Sequence, residues 1–304
     1  MTLIVSVLGR ESIWMLADRR LSYPRKLPKD DGRKLMFLET TDGQAILGYA
    51  GLGATALGTE PSDWMSAVFR GRNFTMEQSL SALTNALKKE FPPHMRGMPR
   101  GIAQHSIIVP ALVADEPRFY AIDLQLAPDR KRATFRYVRL ILDTPRPRTP
   151  RLAYGGSAFS YLHPNRKKWM RPLLRAVAAY ERGQISDGAV ANHLAELNDE
   201  AQLHIHDKTV GPRCIVAWRN SKGGSKGGGG GHRLYTNAIA EDDTVAIPMI
   251  ANGIDVQALV KVIAPSTMKM LDAMLDDKPV PEVDQDEINA AVARLPYGPD
   301  EKLR

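Results

Sequence analysis

One cysteine, Cys214, stands in a chain of 304 residues. A single thiol excludes an internal disulfide and any all-cysteine zinc site, and it fits a reducing compartment, the cytoplasm. No stretch approaches the ~18 consecutive apolar residues of a membrane span. The opening segment MTLIVSVLGRESIWMLADRR has no basic region ahead of its apolar residues and no small-residue cleavage site, so neither a secretory leader nor a membrane association is expected. Gly-Lys-Ser and Gly-Lys-Thr are both missing, which removes a phosphate loop even from the glycine-rich SKGGSKGGGGGH. Ser157 in GGSAF is not the centre of a Gly-x-Ser-x-Gly elbow, which argues against a serine hydrolase. His204-Ile205-His206-Asp207 lacks a further ligand at usable spacing, so no metal and no other cofactor is expected.

The formal charge is +7. The basic residues are spread over Arg19 to Lys34, Arg130 to Arg151, Arg166 to Arg175 and Lys222 to Lys226, without interleaved aromatics, so nucleic acid is not the expected partner. Hydrophobic residues at 43% and charged residues at 25% suit a folded globular chain that can bury a substantial core.

Strand patterns run over Thr2 to Leu8, Ile13 to Asp18, Lys34 to Glu39 and Ala45 to Ala50, the last two about the turn Thr41-Asp42-Gly43. Thr75 and Gln78 form a capping-box pattern. Met76, Leu80, Leu83 and Leu87 then keep helical spacing until Pro92 and Pro93, where the helix is expected to stop. Further strands are read at Ile107 to Ala114, Phe119 to Ile122, Phe135 to Leu142 and Arg151 to Tyr154. Helices follow at Ala158 to Glu181, with a break expected at Pro164 or Pro172, and at Ser186 to Leu203. Strands return at Arg213 to Arg219 and Arg233 to Thr236, and a last helix is read at Asp255 to Leu275. Strands, two helices, strands is the order of a layered α+β protein.

A threonine at position 2 becomes a free N-terminus when methionine aminopeptidase removes Met1, and then offers a hydroxyl nucleophile and an α-amino base on one residue. Alone, Thr2 is an ordinary first-strand residue. Downstream stand Asp18 and Arg20 at the end of a strand and Lys34 at the start of the next. In these intervals, and in GQAILGYAGLG, AYGGSAFSYL and HIHDKTVGPRCIVAW, the chain resembles the proteasome β subunits and their bacterial relative HslV. The resemblance covers residues 2 to 219. In that family an N-terminal threonine, an Asp-x-Arg and a strand-initiating lysine surround one catalytic centre.

The resemblance implies an α+β fold, a four-layer αββα sandwich with two packed antiparallel sheets, and a threonine endopeptidase that acts through a Thr2 acyl-enzyme. It gives Lys34 the task of depressing the pKa of the Thr2 amine and hydroxyl, Asp18 that of holding Lys34, and Gly51, with Gly48 as runner-up, that of presenting an oxyanion donor. Asp207 and Ser157, or Gly156 after a one-residue shift, would complete the centre. The family's second serine falls on Val210, with Thr209 beside it as substitute. Arg20, Leu21, Ser22 and Tyr49 are the expected substrate-binding residues, Leu21 and Tyr49 as an apolar pocket. Expected partners are further copies of the chain in stacked rings, an ATP-dependent unfoldase and a peptide or unfolded protein substrate. Two alternatives stand beside this: a catalytically weak ring-forming scaffold, and a small-amide hydrolase. A hydrolase domain over 2–239, with a glycine-rich hairpin insertion at 221–231, and a partly helical C-terminal extension over 240–304 with an acidic tail complete the expectation.

Overall fold

The computed structural model describes residues 2–21, 27–51, 60–95, 105–126, 133–140, 150–205, 208–221, 229–242, 245–276, 279, 285, 286 and 290. The chain begins with β1 (Leu3–Leu8) and β2 (Ser12–Asp18), joined antiparallel so that Ile4 faces Ala17 across the ladder. β3 (Leu35–Thr40) and β4 (Gly43–Ala50) form the next hairpin. Two helices follow, α1 (Pro61–Phe69), opened by a proline whose missing N–H costs nothing at that position, and α2 (Met76–Met95). The capping box is made: the Thr75 amide donates to Gln78 Oε1 at 3.0 Å and the Gln78 amide to Thr75 Oγ1 at 3.4 Å. α2 runs past Pro92 and Pro93 to Met95. The carbonyls their rings leave unbonded belong to Lys88 and Lys89, exposed residues that water can serve.

β5 (Ser106–Val113), β6 (Glu116–Leu126) and β7 (Ala133–Leu140) form a meander, and β8 (Arg151–Gly156) crosses back to pair with β1. α3 (Phe159–Glu181) is one continuous helix, so the expected break does not occur. Pro164 and Pro172 both sit on its exposed face, where water takes over from the lost backbone hydrogen bonds. α4 (Asp187–His204) is capped by Ser186, whose Oγ accepts from the Ala189 amide at 3.3 Å. After it come β9 (Arg213–Asn220), β10 (Gly230–Thr236), β11 (Ile239–Glu241), β12 (Met249–Ala251), β13 (Ile254–Asp255) and α5 (Val256–Leu275).

Two large sheets result, ordered β11-β10-β9-β2-β1-β8 and β13-β12-β3-β4-β5-β6-β7. Among the described residues all strand pairings are antiparallel except that of β12 with β3, which is parallel. The expected boundary after residue 239 falls inside β11. Beyond it, β12 is a strand of the second sheet, with Ile250 buried in the core.

Strand alternation sorts the apolar residues into three clusters. Leu47, Tyr49, Val109 and Tyr120 pack with Trp64, Leu80 and Leu83 of α1 and α2. Leu3, Val5, Trp14 and Val216 pack with Leu162, Val177, Val190 and Leu194 of α3 and α4. Ile4, Met15 and Ile215 of the first sheet meet Leu35, Ile46 and Ile108 of the second. Each fully buried aliphatic side chain contributes about 1.5–3 kcal/mol, so the contact between sheets is a principal source of stability.

Candidate active site

Asp18 closes β2 with a carboxylate that has no exposed surface and four donors around it. Oδ1 accepts from the Leu3 amide at 2.7 Å and from Lys34 Nζ at 2.9 Å. Oδ2 accepts from the amides of Arg20 at 3.0 Å and Gly211 at 3.2 Å. One side chain therefore ties together the start of β1, the end of β2, the residue before β3 and the loop ahead of β9. Lys34 is 2% exposed, and burial lowers its pKa while the Asp18 carboxylate opposes that shift. A buried ion pair of this kind stabilises little in net terms, but removing one partner leaves an uncompensated charge.

Thr2 is buried and immediately precedes Leu3, the residue whose amide Asp18 holds. On the other side of β1, Gly156 pairs with Leu3. Its φ is +91°, and a Cβ there would stand 1.8 Å from the Thr2 carbonyl oxygen, so only glycine lets the end of β8 approach this closely. Ser157 follows, and its Oγ lies 2.7 Å from Thr209 Oγ1. Val210 turns into the core beside α3 and α4, so Thr209 is the hydroxyl that the loop offers. Asn198 of α4 holds that loop by donating from Nδ2 to the Gly211 carbonyl at 3.1 Å.

At the end of β4, the Tyr49 amide donates to the Lys34 carbonyl at 2.9 Å, which brings the strand end beside the Asp18–Lys34 pair. Gly51 follows with φ +155°. A side chain there would collide with His105, whose Nδ1 would be 2.2 Å from the new Cβ. His105 Nδ1 lies 2.6 Å from Tyr49 Oη, and burial above all lowers its pKa to about 3. Gly48 faces Met15, Ile4 and Leu35 between the sheets.

Thr2, Asp18, Lys34 and Ser157 are thus gathered around the first residues of β1, with Gly51 at the neighbouring strand end. Arg20 is committed elsewhere: its guanidinium forms a two-pronged pair with Asp30 at 2.6 and 2.7 Å and donates to the Lys208 carbonyl at 2.6 Å. Leu21 is buried against Gly32. Tyr49 does not join it, because period-two alternation turns Tyr49 toward α1 and α2, where it meets Phe91 and His105. Ser22, Asp207 and most of the glycine-rich hairpin lie outside the described residues. His204 stacks on Tyr161, and among the described residues no group of three or more His, Cys, Asp or Glu could hold a metal ion. Gly211, Asn198, Asp30 and His105 were not visible as site residues from spacing. Their roles come from backbone amides, a loop carbonyl and a cross-sheet approach, for which residue type is a poor guide.

No protein-family model matches the chain, and no curated protein matches it. Among solved structures, the chain is similar to a mutant of Anbu from Hyphomicrobium sp. strain MC1, with 14% identity over 93% of this chain and 100% of that one and a TM-score of 0.46. It is similar to Anbu (ancestral beta-subunit) from Yersinia bercovieri, with 12% identity over 93% and 100% and a TM-score of 0.46. A third is the helical assembly of the Anbu complex from Pseudomonas aeruginosa, with 14% identity over 93% and 99% and a TM-score of 0.41. The sheet order and the site distances are independent of these likenesses.

Proposed function

We propose that this protein is a threonine endopeptidase of the proteasome/HslV kind, built on a four-layer αββα sandwich and working in homo-oligomeric rings. The observation that carries the reading is the buried Asp18 carboxylate, bonded at once to the Leu3 amide and to the Lys34 ammonium. It ties a positive charge to the backbone of the residue after Thr2, in a setting that burial keeps dry.

In the proposed reaction, removal of Met1 frees the Thr2 amine. The Thr2 hydroxyl attacks a peptide carbonyl while its proton passes to that amine, directly or through a water. The Lys34 ammonium lowers the pKa of both groups by its charge. The Gly51 amide is assigned to the tetrahedral oxyanion, with the His105 ring standing behind it. Collapse breaks the C–N bond, passes the proton to the leaving amine and leaves an ester on Thr2, which water hydrolyses to return the hydroxyl. The Ser157–Thr209 hydroxyl pair is assigned to the proton relay in place of the family's two serines.

The test is peptide-mapped intact mass after brief exposure to a β-lactone, with Thr2→Ala alongside. The expected result is one adduct on Thr2 of a Met1-free chain and none on the variant. A retained Met1, or a processed chain with unlabelled Thr2, would sink the peptidase reading. Assembly without labelling would favour the scaffold, and cleavage of small amides without peptide cleavage would favour the small-amide hydrolase.

A further inference from the structure

α5 stands apart from the rest of the fold in how it is covered. Its N-terminal end is well anchored. Asp255 caps it by accepting from the Ala258 amide at 3.1 Å and pairs with Arg70 at 2.9 Å, and Gln257 donates to the Ile247 carbonyl at 3.0 Å. Beyond that first turn, among the described residues, no α5 side chain is buried. Yet Val260, Ile263, Met268, Leu271, Met274 and Leu275 are exposed apolar residues, Leu275 at 81%. At about 100° per residue they share an arc of about 140° on one side of the helix. An apolar stripe of that width on a water-soluble helix calls for a covering surface.

The charges say which surface. Lys261 and Asp272 have no ion-pair partner among the described residues. They are eleven residues apart, about three turns, so both flank the same edge of the stripe. When two identical helices pack antiparallel about a two-fold axis, like edges meet, and residues at equal distances on either side of the axis face each other. An axis between Ser266 and Thr267 sets Lys261 opposite the other copy's Asp272, twice. A parallel pair would instead turn that charged edge toward the far, apolar edge. We infer that α5 is a self-association surface that takes the α5 of a second copy, antiparallel, with the Lys261–Asp272 pairs fixing the register. Apolar burial supplies the affinity, and the rim charges supply direction and alignment. This contact is independent of the hydrolase reading.

Disulfide trapping tests it without interference from any other contact between copies. Cys214, the native thiol, is buried and its pKa is raised by that burial, so it does not compete. Thr267→Cys would lie beside the axis, within the ~7 Å Cα separation that a disulfide tolerates. Leu275→Cys, also at an exposed position, would stand about 25 Å from its counterpart. The expected result is a disulfide-linked dimer of Thr267→Cys under mild oxidant, formed about tenfold or more faster than for Leu275→Cys. Adding Lys261→Asp or Asp272→Lys alone should slow trapping about tenfold by setting like charges opposite each other, and the double exchange should restore it. Equal trapping at 267 and 275, or a double exchange as slow as the singles, would overturn the antiparallel pair. So would Thr267→Cys that stays unlinked while the protein sediments with phosphatidylglycerol vesicles, which would give the stripe to a lipid surface. Loss of β-lactone labelling alone would leave the trapping result untouched.

Discussion

Asp18 and Lys34 form a buried ion pair and give the sharpest predictions at the residue scale. Asp18→Ala leaves a buried, unpaired ammonium, for which about 3–5 kcal/mol of destabilisation is expected by urea denaturation. Lys34→Met keeps the volume and removes the charge. It is expected to slow β-lactone acylation by about two to three orders of magnitude. His105 gives a pH prediction. Its folded pKa is about 3 against an ordinary 6.5, so the folded protein refuses a proton that the unfolded chain accepts. Above pH 6.5 the residue contributes nothing. As pH falls from 6.5 toward 3, stability drops by about 1.4 kcal/mol per pH unit, then levels off. Unfolding titrations should show this limb flattened in His105→Gln. Thr2, Asp18 and Lys34 could be picked out of the sequence because their order and intervals match those of the family that the chain resembles. His105 could not, since its partners Tyr49 and Gly51 sit on another strand and only the β4–β5 pairing joins them.

At the scale of the element, alternation and helical period carried most of the reading, and the exceptions have a common cause. A break of α3 was expected at Pro164 or Pro172, yet the helix continues, and both prolines face water. Tyr49 was expected in a substrate pocket, yet one step of the strand period sends it to the helix side of its sheet. In both cases residue type was right and facing decided the outcome. The approach of β8 to β1 is an element contact that a single methyl group would disturb. Gly156→Ala places a methyl group into the Thr2 carbonyl and forces alanine to positive φ. About 1–3 kcal/mol of lost stability is expected, with loss of Thr2 labelling even where circular dichroism shows the fold retained.

For the whole molecule, the segment after residue 240 divides into a part that belongs to the body and a part that does not. β12 extends the second sheet, and Ile247 and Ile250 lie in the core clusters, whereas no α5 residue is more than partly buried. A chain ending at Ala240 is therefore expected to lose about 2–5 kcal/mol, while one ending at Asp255 should melt within a few degrees of the full chain. Thermal unfolding of the two truncations checks this. Among the described residues no helix is long and apolar enough to cross a membrane.

The sequence by itself determined the local order: which stretches alternate, where helices are capped, and that a threonine, an aspartate and a lysine recur at strand ends. It did so because propensity and period act between neighbours along the chain. Only the tertiary structure decided that Asp18 accepts from Gly211, 193 residues away, that Ser157 meets Thr209, and that Arg20 is bound to Asp30. Those contacts depend on how two sheets pack and where loops cross them, and no interval in the chain encodes that distance.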